Sequence, residues 1–185
     1  LKLAYKQHNP IDLILVTGDL AQQPCQSSYQ RIANEIEKYA IRAICLPGNH
    51  DDFALMQRFI NSNQVNCDKH ILLNNWQLIC LNSKKPETQG GYLAKSELNY
   101  LEHILQNQSI LNTLVVVHHH PVKTNSSWMD SMIIENNDEL FILLQNYSHV
   151  KAITCGHIHQ ELETKKNNIL IFGTPSTCFQ FEPLC

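Results

Sequence analysis

Four short clusters hold the residues able to do chemistry: Gly18-Asp19, Asn49-His50-Asp51, His118-His119-His120 and His157-Ile158-His159. Together they offer carboxylate, carboxamide and imidazole, a mixed oxygen and nitrogen donor set. Such a set suits Mn, Fe, Zn, Co or Ni, whereas a structural zinc finger would call for thiolates. Histidine is the compositional outlier, with ten in the chain and five of them in two tight groups. Neutral imidazole is the commonest metal ligand near pH 7. His-x-His within a turn can place both rings near a pair of metals about 3.5–4 Å apart. Each cluster alone is weak evidence. A Gly-Asp pair is usually a turn, a histidine triplet can arise by chance, and Gly-His-Ile-His can be a satisfied turn. Their joint occurrence at equivalent places is what points to a site.

Those places are strand ends. Short apolar runs rich in β-branched residues read as buried strands at Ile11–Thr17, Ile41–Leu46, Thr113–Val117 and Val150–Cys155. One donor cluster follows each. The reading is therefore that each strand of one sheet delivers donors just past its C-terminal end, the edge at which α/β sheets bind ligands. Gly18, Gly48 and Gly156 precede the donors and are expected to make the tight turns. Helices are expected over Ser27–Tyr39 (capped by Ser27 or Ser28), Phe53–Ile60, Ser96–Gln106 and Asp138–Tyr147, with Leu98, Leu101 and Leu105 on one buried stripe. Hairpins are expected at Ile71–Leu73 with Trp76–Leu81, and at Gln160–Thr164 with Ile169–Phe172. Asn61–Lys69 and Pro121–Asn136 read as loops. Strands alternating with helices, plus two hairpins, predict an α/β layered fold with mixed sheets.

Composition narrows the partners. The chain has 185 residues, 43 % apolar and 17 % charged, with a net charge of −3 and a pI near 6.4. One domain over residues 1–185 is expected. The charge argues against a basic face that grips a nucleic-acid duplex, but not against a small anion, since a bound cation reverses the local field. Seven cysteines occur without a CxxC spacing. Cys45, Cys80 and Cys155 sit in strand-like runs and read as buried thiols, which suits a reducing cytoplasm. No apolar run approaches the roughly 20 residues of a membrane span, and no signal segment opens the chain. Trp76 reads as a core residue. Trp128 reads as a loop residue, with base stacking in a nucleotide pocket as the alternative. His8, His70, His103 and His149 lack motif context, and Lys84-Lys85 reads as solvated loop.

In order, the clusters GD, GNHD, HH and GHxH resemble the calcineurin-like metallophosphoesterase superfamily. Val16–Gln22 (VTGDLAQ), Leu46–Asp51 (LPGNHD), His118–Pro121 (HHHP) and Cys155–Leu162 (CGHIHQEL) are most similar to the bacterial class III 3',5'-cyclic-AMP phosphodiesterases. Ser127-Trp128 and Thr174–Cys178 match that subfamily too. The resemblance implies a four-layer β-sandwich of mixed sheets flanked by helices and a hydrolase that converts cyclic AMP to 5'-AMP. It implies two divalent metal ions, Fe2+ or Mn2+ favoured, with Zn2+, Co2+ or Ni2+ as alternatives. Asp19 would bridge the metals. Asn49, His118 and His157 would hold the second metal, and His159 the first. Asp19, Asn49, His50 and His159 would contact substrate, with His50 also the general acid to the leaving oxygen. His119 is the alternative ligand to His118, and His120 would support the shell. Asp51 would orient His50, or Asp51 or Asp52 would cap a helix. The family's first motif, Asp-x-His, is absent from Leu1–Asp12, where an amphipathic helix tail is read instead. The chain is therefore expected to be a fragment, truncated at both ends. Rival readings are hydrolysis of another small diester, such as a glycerophosphodiester or 2',3'-cyclic nucleotide, and an inactive scaffold. The expected partner is a small cyclic nucleotide, and the expected assembly a monomer or homodimer.

Overall fold

In a computed structural model that describes residues 1–8, 10–108 and 110–182, alternation along the strands sorts the apolar side chains into three clusters, which define the layers. Strands β1 (Ile14–Val16), β2 (Ala43–Cys45) and β3 (Val65–Asn66) form an all-parallel sheet in the order β1-β2-β3. One face of it, with Ile14, Val16, Ala43 and Cys45, packs on helices α2 (Gln26–Glu37) and α3 (Phe53–Phe59) through Tyr29, Ala33, Ile36 and Met56. The opposite face, with Leu13, Leu15, Ile44 and Leu46, meets a second sheet.

The second sheet has six strands in the order β4-β5-β6-β7-β9-β8. These are β4 (His70–Leu73), β5 (Trp76–Cys80), β6 (Asn112–Val117), β7 (Val150–Cys155), β8 (Leu162–Lys166) and β9 (Ile169–Gly173). β5, β6, β7 and β9 run parallel, and the β4/β5 and β8/β9 hairpins are antiparallel. Leu78, Cys80, Leu114 and Val116 face the first sheet. Ile79, Val115, Ile153 and Ile171 face outward to α4 (Lys95–Asn107) and α6 (Asn137–Leu144), covered by Leu98, Leu101, Leu105, Leu140 and Phe141. The result is four layers, helix, sheet, sheet, helix, with mixed sheets as the sequence predicts. A short helix, α1 (Lys2–His8), stands at the start of the chain with no buried residue.

Several local expectations are corrected. The donor-bearing strands belong to two sheets, not one: β1 and β2 to the first, β6 and β7 to the second. Asn61–Lys69 contains β3, two residues added to the far edge of β2, too short to show alternation. The region 121–136 contains a one-turn helix, α5 (Ser127–Asp130), capped by Ser126, whose side chain accepts from the Met129 amide. α2 starts a residue earlier than expected, so Ser27 and Ser28 lie inside its first turn; the cap position is Cys25, which makes no side-chain cap bond. The first strand of the last hairpin is shifted by two residues, while the second starts at Ile169 as expected. Asn167 and Asn168 both have positive φ (53° and 65°), the two-residue turn that pairs Lys166 with Ile169 and starts β8 at Leu162. Lys84 is half-buried, and its ammonium donates to the Asp51 carbonyl, so only Lys85, paired with Glu135, fits a solvated loop.

Asp51 ties these layers to the loops above them. It is fully buried. Its carboxylate accepts from the amides of Gly48 (3.0 Å), Leu20 (3.1 Å) and Ala21 (3.2 Å), and from the Tyr29 hydroxyl (3.1 Å). One side chain thus joins the loop after β1, the loop after β2 and helix α2. It neither caps a helix nor orients His50; Asp52 caps α3, accepting from the Leu55 amide at 3.0 Å. The Tyr29 hydroxyl, whose pKa is raised by burial and by the Asp51 charge, also accepts from the Asp52 amide.

Two stability measurements follow from this packing. In denaturant unfolding, Ile44→Ala, between the sheets, should cost about 3 kcal/mol, and Ile142→Ala on the exposed side of α6 no more than about 0.5 kcal/mol. Asp51→Ala should cost roughly 3–5 kcal/mol, because it leaves three buried amides and a buried hydroxyl without their acceptor. A cost for Asp51→Ala no larger than that of Ile142→Ala would show that the carboxylate does not hold the loops.

Candidate metal centre

The parallel strands of both sheets end at the same edge, and the four donor clusters leave them there. β1 runs into Thr17-Gly18-Asp19, β2 into Pro47-Gly48-Asn49-His50, β6 into the histidine triplet and β7 into Gly156-His157-Ile158-His159. Within each sheet neighbouring strand ends are tied through backbone: the Gly156 amide donates to the His118 carbonyl at 3.0 Å, and the Leu46 amide to the Val16 carbonyl at 3.1 Å.

Space at this edge is short. A Cβ on Gly18 would stand 2.3 Å from His118 Nδ1, and one on Gly48 would stand 2.0 Å from Asp19 Oδ1. Gly18 also has φ +98°, a conformation that side chains rarely adopt. The glycines do not make the turns unaided, however. Asp19 (φ 58°), His157 (φ 66°) and His159 (φ 50°) are themselves left-handed. Non-glycine residues in this region are uncommon and strained, and they cluster at functional sites.

The centre of the arrangement is His118, which is buried. Its Nδ1 lies 2.7 Å from the Thr17 carbonyl oxygen. A carbonyl only accepts, so Nδ1 carries the proton and Nε2 presents a lone pair. Around Nε2 stand Asn49 Oδ1 at 3.1 Å, His157 Nδ1 at 3.1 Å and Asp19 Oδ2 at 3.3 Å. Two of these neighbours are oxygens that only accept. Electron-rich atoms from four segments therefore face one another at hydrogen-bond distance, an arrangement that a shared cation relieves. The buried Nε2 of His157 and Nδ1 of His159 have no hydrogen-bond partner in the chain, as expected of imidazoles whose other interactions lie with a bound group. The residues fit a divalent metal.

Electrostatics agree with that fit. Burial raises the pKa of Asp19, but the His118 ring beside it and the His50 amide (3.1 Å to Oδ1) outweigh it and hold the carboxyl far below its usual range. The side chain is an anion at neutral pH. Burial, reinforced by neighbouring imidazoles, lowers His157 to about 2, and burial with the nearby His118 lowers His119 to about 3. Both are neutral near pH 7, the form in which imidazole ligates metal.

Ring nitrogens of His118, His119 and His157 fall within 4.8 Å of one another, so proximity alone does not separate His118 from His119. Their hydrogen bonds differ. His119 Nε2 lies 3.1 Å from the Gln89 carbonyl and must donate to it, while Nδ1 lies 2.8 Å from Ser83 Oγ. Both its nitrogens are used. His120 is fully buried, stacks on His157 (5.9 Å between centroids, 12°) and has Nε2 3.9 Å from Asp130 Oδ1. Burial lowers its pKa to about 4.

One cavity of about 830 Å³ takes in Asp19, Asn49, His50, His118, His157 and His159. The structure thus gathers these six residues singled out from sequence around one cavity, while His119, His120 and Asp51 do not line it. His159 stands toward the aromatic side of the cavity, its ring stacked on Phe181 at 4.4 Å. Trp128 also lines the cavity, and Trp76 packs against the inter-sheet core. Sequence reasoning missed the Thr17 carbonyl and the Gln89 carbonyl, backbone groups that leave no residue signature. It also missed Ser83, which lies in no motif, and Phe179 and Phe181, which read as ordinary apolar residues. His70 pairs with Gln77 (2.9 Å), away from the site.

Among the described residues no disulfide forms: Cys25, Cys45, Cys67, Cys80, Cys155 and Cys178 are free, and Cys45, Cys80 and Cys155 are buried as expected. Cys185 lies outside the described residues. No helix, among the same residues, is long and apolar enough to cross a membrane.

The chain is similar to known proteins. The chain is 38 % identical to the 3',5'-cyclic adenosine monophosphate phosphodiesterase CpdA of Haemophilus influenzae, over 100 % of this chain and 68 % of that protein. It is 37 % identical to the protein of the same name from Escherichia coli, over 97 % of this chain and 65 % of that one. The chain therefore spans about two thirds of the length of these relatives. A dimetal phosphatase from Danio rerio superposes with a TM-score of 0.66 at 11 % identity, over 92 % of this chain and 74 % of that one, a likeness of fold. The family model for calcineurin-like phosphoesterases matches residues 1–161, the stretch that holds both sheets' donor loops from Asp19 to His159, and the chain belongs to that family.

Proposed function

We propose that this chain carries the dinuclear centre of a phosphodiesterase that hydrolyses 3',5'-cyclic AMP to 5'-AMP. The observation that carries the reading is the convergence of Asp19, Asn49 and His157 on the free Nε2 of His118. In this reading Asp19, Asn49, His118 and His157 hold one metal, and Asp19 with His159 contributes to the other. Fe2+ or Mn2+ suits the mixed donor set best, with Zn2+, Co2+ or Ni2+ as alternatives. When bound, the metals supply an activated water and neutralise charge on the phosphate. The choice of substrate rests on the names of the relatives, which are cyclic AMP phosphodiesterases. Residues 1–185 act as one unit, alone or as a homodimer. The free cysteines suit a reducing cytoplasm.

The chain's own residues divide the remaining work. The Thr17 carbonyl fixes the tautomer and the aim of His118, the outer-sphere role that tunes a metal ligand. Ser83 and Gln89 use both nitrogens of His119, which then buttresses the rings of His118 and His157 at centroid distances of 4.8 Å to each. Asn49 offers a neutral oxygen beside the Asp19 anion. His50 follows Asn49 into the same cavity, with its amide anchored to Asp19. A proton delivered from its ring to the departing 3'-oxygen would speed the reaction by about 10²–10⁴-fold.

Two experiments test this. The metal-loaded enzyme should hydrolyse cyclic AMP and bis-(p-nitrophenyl) phosphate with manganese or iron present, and neither substrate after chelation. Turnover of the aryl diester alone would keep the reaction and discard the nucleotide. No turnover of either with metal bound would leave a scaffold. In the second, His50→Ala should lower kcat by about 10²-fold or more with metal content by elemental analysis unchanged, whereas His118→Ala should lose metal. Loss of metal from His50→Ala would make His50 a ligand or a structural residue instead.

A further inference from the structure

Large aromatic rings stand on one wall of the donor cavity with much of their surface open. Trp128 is 47 % exposed and Phe179 55 % exposed, and both line the cavity that contains Asp19 and Asn49. They form one group with Phe181 and His159. Trp128 meets Phe181 edge-on at 4.9 Å, and Phe179 meets Phe181 at 5.4 Å and His159 at 4.8 Å. Phe181 lies parallel to the His159 ring. The aromatic wall is thus continuous with the metal-ligand candidate.

The segments that present these rings are braced. Trp128 sits on α5, where Asp130 accepts from both the amide and the hydroxyl of Thr124 (2.7 and 2.9 Å). Ser131 Oγ donates to the Trp128 carbonyl at 2.6 Å. In the segment that carries Phe179 and Phe181, Gln180 closes a ring with Ser176, accepting from its amide at 3.0 Å and donating to its carbonyl at 2.7 Å. The Cys178 amide donates to Ser176 Oγ at 3.1 Å. Exposed aromatic surface held in place beside a phosphate-sized donor cluster is the arrangement that binds a planar ring at low entropic cost.

We propose that Trp128, Phe179 and Phe181 form a stacking subsite for the heteroaromatic base of the substrate. This rests on the reading of the donor cluster as a phosphodiesterase centre. Every base has a π-face, so a stacking wall selects for the presence of a base more than for its identity. The subsite therefore favours cyclic nucleotides as a class over aliphatic diesters such as glycerophosphodiesters, and tolerates guanine beside adenine.

The test compares two phosphate monoesters that differ in the base, 5'-AMP and ribose 5-phosphate, by calorimetric titration of the metal-loaded protein. 5'-AMP should bind about tenfold tighter or more, the range of one base–aromatic stack. The double variant Trp128→Ala, Phe179→Ala should lose that preference with ribose 5-phosphate affinity unchanged, and Trp128→Phe should keep most of it. In a Trp76→Phe background Trp128 is the one remaining tryptophan, and its fluorescence should be quenched by 5'-AMP and not by ribose 5-phosphate. Equal binding of the two compounds, binding of neither, or a preference that survives the double variant would overturn the subsite. Turnover of bis-(p-nitrophenyl) phosphate reports separately on the phosphodiesterase reading. A base preference without turnover sinks that reading and spares the subsite; turnover without base preference does the reverse.

Discussion

The Asp51 carboxylate receives three amides and a hydroxyl inside the protein, and the position of both oxygen donors follows from it. Leu20 and Ala21 come directly after Asp19; Gly48 comes directly before Asn49. By holding amides from both, one side chain sets the distance between the two loops that carry Asp19 and Asn49. A buried carboxylate is tolerable only when its lone pairs are satisfied, so the loops must close on it for the chain to fold. Local order at the site and global stability are thereby the same requirement.

Dividing the donors between two sheets has a further consequence. Oxygen donors come from the three-stranded sheet and imidazoles from the six-stranded one, so the centre forms only when the sheets are packed. Ile44, Leu78 and Val116 therefore contribute to the chemistry through distance alone. The left-handed backbone of Asp19, His157 and His159 is the local cost of turning each ligand back over the seam. The cross-sheet bond from His118 Nδ1 to the Thr17 carbonyl and the backbone bond from Gly156 to His118 hold those turns in place.

Most of this architecture was legible because periodicity reports burial. The β7 run Val150–Cys155 and the α4 stripe of Leu98, Leu101 and Leu105 appear as read. The sheet assignment did not, because a buried parallel strand carries no mark of which sheet it joins. β3 and α5 were missed because two residues and one turn are shorter than any pattern that reveals an element. At the site, residue types pointed to the residues that converge, but not to the hydrogen bonds that orient them. Asp51 was visible in its motif yet misread, since two of its partners are the backbone amides of Leu20 and Ala21, distant in sequence. The aromatic wall was legible only at Trp128; Phe179 and Phe181 declare themselves by their contact with His159.

The histidine triplet illustrates how neighbours in sequence acquire separate duties. Leaving β6, three consecutive side chains cannot share one target, and each meets a different environment. His118 turns to the first sheet, where the Thr17 carbonyl takes its Nδ1 proton and frees Nε2 for the donor cluster. His119 turns to Ser83 and Gln89, and both its nitrogens are consumed. A methyl group on Gly91 would stand 2.6 Å from its Cβ, so that placement depends on a glycine far from any catalytic motif. His120 lies against His157 near Asp130. His118 keeps one nitrogen free, His119 keeps none, and neither nitrogen of His120 has a hydrogen-bond partner. Backbone carbonyls separate the first two, which is why identity and spacing alone left His118 and His119 equivalent.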